Sequence, residues 1–144
     1  MTWNTETYEI YDLTGALITT GNLFNAFNGG ANAVQLTSGN VFIFGSACCS
    51  GFPGARSSWE IRDADGNFIS TGDLFNPRGS AGAAVLSNGN VFITGGDSAP
   101  STWEIRNATG GLVSQGDLFN TRYPGHTLTQ FYVHQVVSCV QAPV

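Results

Sequence analysis

An internal repeat constrains this chain more than any other feature of its sequence. The motif Trp59-Glu60-Ile61-Arg62 recurs as Trp103-Glu104-Ile105-Arg106, and more loosely as Tyr8-Glu9-Ile10-Tyr11. A second block, Gly-(Asn/Asp)-Leu-Phe-Asn, follows each motif at residues 21–25, 72–76 and 116–120. A third block, residues 36–45, recurs at residues 86–95. The first aromatics of the motif lie 51 residues apart (8 to 59) and then 44 residues apart (59 to 103).

Each unit is predicted to hold four short strands. The first strand (31–36, 81–86) carries small side chains, and the second (41–44, 91–94) is continuously apolar. The third strand is the aromatic motif, with Trp and Ile on one face and Glu and Arg on the other. The fourth strand (68–70, 112–114) follows a glycine-containing turn. A period of about 40 to 50 residues with four strands per unit is typical of β-propeller blades, whose innermost strands have little room for bulk.

The sequence resembles the kelch repeat family over roughly residues 8 to 130. The resemblance rests on the doublet Gly95-Gly96 at the end of an apolar strand, the aromatic Trp103, and a Gly-Asp-Leu-Phe-Asn-x-Arg segment that ends at Arg122. The first unit departs from this pattern, because it has Gly45-Ser46 for the doublet. The resemblance implies four-stranded blades packed radially around a channel.

The fold class predicted from these patterns is all-β, a kelch-like β-propeller. The single segment 1–144 divides into a half blade (8–24), two blades (31–75 and 81–119) and a divergent half blade (125–144). About three blade equivalents do not close a ring, since propellers typically have four to eight blades. We therefore expect a homodimer that forms one six-bladed ring, in which the half blades of neighbouring chains complete each other.

The C-terminal segment fits the repeat poorly. Residues 131–134 align with the turn at 87–90 but offer no turn residues. The segment therefore forms a different connection, forms one long strand that crosses to a partner, or has diverged or been truncated recently. The sequence leaves these alternatives open.

Composition excludes several classes of function. Charged residues make up 10% of the chain and its net charge is -5, so no basic stripe exists for nucleic acid. The sequence has no run of about 18 apolar residues, so it predicts no membrane-spanning helix. The N-terminus lacks the features of a secretory signal. Three cysteines form no disulfide framework or zinc spacing. The alternative to reduced cysteines is a strained vicinal disulfide between Cys48 and Cys49. We expect reduced cysteines, a cytoplasmic protein by default, and no metal or cofactor.

The candidate ligand surface is one face of the predicted propeller. Loops that join strands two and three share this face with loops that join one unit to the next. The strand two-to-three loop of the first unit is the longer one, because Leu36 and Trp59 are 23 residues apart whereas Leu86 and Trp103 are 17 apart. Long loops with apolar groups commonly bind ligands on repeat scaffolds. The candidate ligand residues are Arg78, Arg122, Cys48, Cys49, Phe52 and Asp97.

Two sets of recurring side chains have both a functional and a structural interpretation. The acids and arginines of each unit form either a repeated polar pocket for a sugar or anion, or cross-strand ion pairs between blades, which stabilise little when exposed. Trp59 and Trp103 either stack on a sugar or fill the space between blades. The structural interpretation is favoured in both cases, and for the tryptophans the reason is that Tyr8 replaces tryptophan in the first unit.

The expected function is a non-enzymatic binding or scaffold module with a peptide or protein ligand on the loop-bearing face. The alternative is a carbohydrate-binding lectin with one site per blade. An enzyme fragment that uses His126 and a metal is a third possibility, because His126 aligns with Gly82 on the predicted channel-lining strand. We expect no nucleic acid or membrane partner.

Overall fold

The computed structural model describes residues 7–25, 27, 31–46, 56–121, 128–133 and 136–141, with side chains described up to Thr121 except that of Ser46. Every regular element in these ranges is a β strand, which confirms the prediction of an all-β fold. No helix within the described ranges has the length and hydrophobicity needed to cross a membrane.

Twelve strands occur in the described ranges, and they follow one another at the short intervals that the repeat predicts. They are β1 (Thr7–Tyr11), β2 (Leu17–Asn22), β3 (Asn32–Gln35), β4 (Val41–Ser46), β5 (Arg56–Arg62), β6 (Phe68–Asp73), β7 (Gly82–Val85), β8 (Val91–Thr94), β9 (Thr102–Arg106), β10 (Leu112–Asp117), β11 (Leu128–Val133) and β12 (Val136–Gln141).

The strands form two four-stranded and two two-stranded antiparallel sheets. The four-stranded sheets have the orders β3-β4-β5-β6 and β7-β8-β9-β10, so each strand pairs with its neighbours in sequence. The strands β1 and β2 form the third sheet. The strands β11 and β12 form the fourth, in register from Leu128↔Gln141 to Val133↔Val136. The C-terminal segment is therefore an antiparallel pair and not one long strand.

A side-chain oxygen fixes the turn after the third strand of each unit. Oδ1 of Asp63 accepts hydrogen bonds from the backbone N–H groups of Asp65 (2.9 Å) and Asn67 (2.8 Å). Asp12 makes the equivalent pair of bonds in the β1–β2 turn, and Asn107 makes them in the β9–β10 turn. Hydrogen bonds to the carboxylates, led by those from the side chains of Asn67 and Thr14, lower the pKa of Asp63 and Asp12 below the ordinary value.

The apolar core lies between the two four-stranded sheets. The strands β4, β5 and β8 supply most of it, because most of their apolar side chains are buried or half-buried on both faces of the sheet. The first strands β3 and β7 lie side by side, and in the orientation that satisfies both groups the Asn32 amide bonds the backbone N–H and C=O of Ala81. The core consists of Leu36, Phe42, Phe44, Trp59, Ile61, Leu74, Ala81, Val91 and Ile93.

Candidate functional site

A buried carboxylate joins the two four-stranded sheets. Glu104 lies on β9 and is fully buried. Its Oε2 accepts hydrogen bonds from Nε of Arg106 (2.9 Å) and from the backbone N–H of Phe75 (3.0 Å). Its Oε1 accepts one from Nε of Arg78 (3.1 Å). A buried charge is tolerated only when it is paired and hydrogen-bonded, and Glu104 has both kinds of partner.

The preceding unit repeats this arrangement with one arginine fewer. Oε1 of Glu60 accepts a hydrogen bond from Nε of Arg62 (2.7 Å), and its Oε2 accepts the backbone N–H of Asn25 (2.9 Å). In sequence, Phe27 stands where Arg78 stands in the next unit, and it is also buried. The recurring acids and arginines on the third strands thus form buried ion pairs within one strand, and not the exposed cross-strand pairs between blades that the structural interpretation of the sequence expected.

Arg78 holds the loop between β8 and β9 in place. Its Nη1 donates to the carbonyl oxygens of Gly95 (2.8 Å), Ala99 (3.3 Å) and Thr102 (3.0 Å). Its Nη2 donates to Oγ1 of Thr102 (2.8 Å). Burial lowers the pKa of Arg78 below its ordinary value, against the opposing effect of Glu104. The guanidinium therefore bonds the start, the middle and the end of the segment 95–102.

This position corrects one expectation from the sequence. Arg78 was expected to contact a ligand, but its side chain is fully buried between the two sheets. It has no surface to offer a ligand, because Glu104 and the loop 95–102 surround the guanidinium. Arg78 is a positioning residue for the loop beside it.

Two loops lie next to each other at one end of the second four-stranded sheet. We call the segments 74–81 and 95–101 together the loop face. The backbone N–H of Asp97 donates to the carbonyl of Gly79 (2.7 Å), and these two residues form an isolated β-bridge. The side chain of Asp97 is half-buried, and Ser80 and Ser98 are exposed. With Ser101, which is also exposed, the loop face therefore presents one carboxylate and three hydroxyl-bearing residues together.

Two serines of the loop face have left-handed backbone conformations. The φ angle is 48° at Ser80 and 68° at Ser98. Such angles cost a residue with a side chain on the order of 1–3 kcal/mol, and residues of this kind cluster at functional sites. The bridge between Gly79 and Asp97 and the hydrogen bonds of Arg78 hold this backbone in place.

Of the predicted ligand residues, the structure places Asp97 on the loop face and Arg78 beneath it. The other four, Cys48, Cys49, Phe52 and Arg122, lie outside the described residues, as does His126. Ser80 and Ser98 were not among the predicted residues, since nothing in their sequence context indicates a positive φ.

A packing unit that occurs twice joins a third strand to the next sheet; the repeat favoured an aromatic side chain between units but did not identify the glycines around it. We call it the aromatic–glycine junction: the ring of a third-strand aromatic lies between a glycine of its own fourth strand and the turn glycine of the following sheet. A Cβ on Gly72 would lie 2.6 Å from the Trp59 ring, and a Cβ on Gly110 would overlap that ring. Trp59 is accordingly buried. The structure supports packing between units, not sugar stacking, for Trp59.

Tyr8 makes the same junction one unit earlier. A Cβ on Gly21 would lie 2.7 Å from the Tyr8 hydroxyl, and a Cβ on Gly66 would lie 2.6 Å from its ring. The guanidinium carbon of Arg62 lies 4.9 Å from the centre of the Tyr8 ring, within range of a cation–π interaction. Glycine at the positions of Gly66 and Gly110 in each repeat was the sequence signal for this junction.

Comparison with known proteins adds no identity to this geometry. No protein-family model matches the chain, and no curated protein matches it. Across the described residues, no group of three or more His, Cys, Asp or Glu side chains is placed to hold a metal ion.

Proposed function

We propose that this chain is a kelch-like propeller segment that acts as a non-enzymatic binding module, with a peptide or protein ligand on the loop face. Two copies form the six-bladed ring in this proposal. The antiparallel order of both four-stranded sheets and the adjacency of β3 and β7 support neighbouring blades. The observation that carries the binding role is the fixed pairing of the two loops through Gly79 and Asp97.

The loop face is suited to binding because its shape is set before a ligand arrives. The buried side chain of Arg78 donates to three carbonyl groups of the loop 95–102. The β-bridge between Gly79 and Asp97 fixes the same loop through its backbone. A preorganised surface loses little conformational entropy when a ligand binds. The cost of the left-handed serines is consistent with selection for a particular surface shape.

The chemistry of the loop face favours a ligand that offers hydrogen-bond donors. Asp97 provides a carboxylate that accepts from N–H groups or basic side chains, and its own backbone N–H is already used by Gly79. Extended peptides carry backbone N–H groups and basic side chains together. A peptide is therefore the ligand class that we propose.

The test is a selection from a displayed library of linear peptides on the immobilised full-length protein. Peptides that bind are then titrated against Asp97→Ala and against Asp65→Ala, which removes the same charge from an exposed turn at the opposite end of the strands. We expect Asp97→Ala to raise Kd about tenfold or more, as at an interface hot spot, and Asp65→Ala to leave it within about twofold.

Two results would contradict the proposal. One is a library that yields no binder, and the other is a set of binders that tolerate Asp97→Ala as well as Asp65→Ala. A glycan array run on the same samples tests the lectin alternative. Sugar binding that is lost in Asp97→Ala would replace the peptide with a carbohydrate ligand on the same surface.

A further inference from the structure

The aromatic–glycine junction is filled twice along the chain and left half-built at two further positions. Tyr8 fills the junction at Gly66, and Trp59 fills the junction at Gly110. The repeat supplies one more turn glycine, Gly15, and one more third-strand aromatic, Trp103. These two are the unpaired halves of the same junction.

The β1–β2 hairpin presents the empty receiving half. Gly15 has a φ of 84°, close to the 86° of Gly66 and the 89° of Gly110. Unlike those two glycines, Gly15 has nothing within 4 Å of where a Cβ would stand. The hairpin around it exposes Leu13 (108%) and Leu17 (54%), which are large apolar side chains. We call this hairpin, residues 7–22, the receiving surface.

The β9–β10 pair presents the unfilled inserting half. The Trp103 ring lies over Gly116 of its own sheet, since a Cβ there would stand 2.8 Å from the ring, and it stacks on Phe92 at 5.8 Å. No turn glycine of the described chain receives its other side. Trp103 is half-buried where Trp59 is buried. We call Trp103 and the segment 117–121 the inserting surface.

Side chains around the junction show how the two surfaces would meet. In the filled junction at Gly66, Phe24 packs on Phe68, with ring centres 5.1 Å apart. The repeat places Phe119 at the position of Phe24 and Leu17 at the position of Phe68. Phe119 is 101% exposed, so it has no packing partner of this kind among the described residues. An apolar contact between Phe119 and Leu17 would match the one observed.

The third-strand glutamate accepts a backbone N–H in both four-stranded sheets, from donors that differ by one repeat position. Glu60 accepts the N–H of Asn25, and Glu104 accepts the N–H of Phe75, each from the segment that precedes its sheet. Glu9 occupies the same repeat position on the receiving surface and is exposed. Tyr11 stands where Arg62 and Arg106 stand, and its hydroxyl donates to Glu9 (2.7 Å) as those arginines donate to their glutamates. The receiving surface therefore has a third-strand glutamate with a side-chain donor beside it, as the two four-stranded sheets have.

We propose that the inserting surface of one copy of this chain docks on the receiving surface of a second copy, with Trp103 against Gly15. The occupant is a second copy because both halves of the junction belong to this one sequence. The inference rests on the proposed propeller arrangement and makes no use of the loop face. It names the contact through which two copies join.

The experiment is sedimentation velocity of the full chain over a range of concentrations. Gly15→Asn fills the receiving cradle, and asparagine tolerates a positive φ. Phe119→Glu and Leu17→Glu place a charge on the inserting and receiving surfaces at exposed positions. Ile69→Glu is the control, because Ile69 is 47% exposed and has no strand partner opposite it in the β5–β6 register. Circular dichroism spectra identify variants that keep the β fold.

We expect the unmodified chain to dimerise, the three surface variants to raise the dimer Kd about tenfold or more, and Ile69→Glu to leave it within about twofold. Gly15→Asn keeps its inserting surface and Phe119→Glu keeps its receiving surface. An equimolar mixture of these two variants should therefore associate more tightly than either one alone. This complementation separates a lost contact from a lost fold.

Three results would overturn the inference. They are an unmodified chain that stays monomeric, folded surface variants that dimerise like Ile69→Glu, and a mixture that associates no better than its components. Peptide binding that depends on Asp97 is measured separately on the Leu17→Glu variant, at a concentration where sedimentation shows it to be monomeric. Failure of the docking surface and failure of the ligand surface are therefore distinguishable.

Discussion

Arg78 is the side chain whose removal should be most costly to this fold. It is fully buried and donates five hydrogen bonds, to Glu104, Gly95, Ala99 and twice to Thr102. Arg78→Ala removes all five donors together with the volume of the side chain. The variant leaves a cavity between the sheets, and carbonyl groups there lose their partner.

The expected size of the effect follows from these contacts. Breaking a buried ion pair by removing one partner costs about 3–5 kcal/mol, because a buried charge is left uncompensated. Glu104 keeps Arg106 at 2.8 Å, which reduces the charge part of that cost. Each carbonyl that is left buried without a donor adds about 1–3 kcal/mol, unless water enters. We therefore expect Arg78→Ala to lower the free energy of unfolding by about 3–5 kcal/mol.

Urea unfolding followed by tryptophan fluorescence measures this loss, with all variants at one protein concentration because association shifts apparent stability. Arg56→Ala is the matched control, since Arg56 is exposed at the start of β5, and we expect it to change stability by less than about 0.5 kcal/mol. A loss below about 1 kcal/mol for Arg78→Ala would refute the assignment of Arg78 as the residue that holds the loop 95–102.

Two further predictions test the turns after the third strands. Gly110→Ala should destabilise the protein by about 1–3 kcal/mol more than Gly39→Ala, because both glycines have a φ of 89° but only Gly110 lies against the Trp59 ring; equal urea midpoints would contradict the junction. Asp63 has a lowered pKa in the folded protein, so it stabilises the fold above its ordinary pKa and loses that effect as pH falls through the lowered value. Asn107 makes the same turn bonds without a charge, so Asp63→Asn can keep the turn while it loses the pH-dependent stabilisation. The free energy of unfolding of Asp63→Asn should therefore lie closer to that of the unmodified chain at pH 3 than at pH 7; a difference between the two proteins that is independent of pH would contradict this.

The repeat allowed much of the fold to be predicted from the sequence. Alternating and continuous apolar patterns gave the third and second strands, such as β5 and β8, close to their observed positions. The fourth strands extend further than predicted, to Asp73 and Asp117. Glycines 72 and 116 disfavour strands by propensity, but here they pair with Trp59 and Trp103 and make room for their rings. Packing across strands outweighs local propensity at these positions.

The position of Arg78 could not be predicted from local sequence. An arginine in a loop after a strand is usually exposed, and the carbonyls that it bonds lie 17 to 24 residues further along the chain. The one available signal was the repeat position itself, where Phe27 and Arg78 alternate. A position that takes either a phenylalanine or an arginine is suited to burial, because the arginine brings hydrogen bonds where the phenylalanine brings apolar surface.

One junction recurs along the chain, and in the proposed dimer a second copy completes it. A crystal structure of the full chain tests this most directly. We expect two chains in contact, with the Trp103 ring of each copy against Gly15 of the other. A structure in which Trp103 packs within its own chain, or faces solvent beside an empty Gly15 turn, would contradict it.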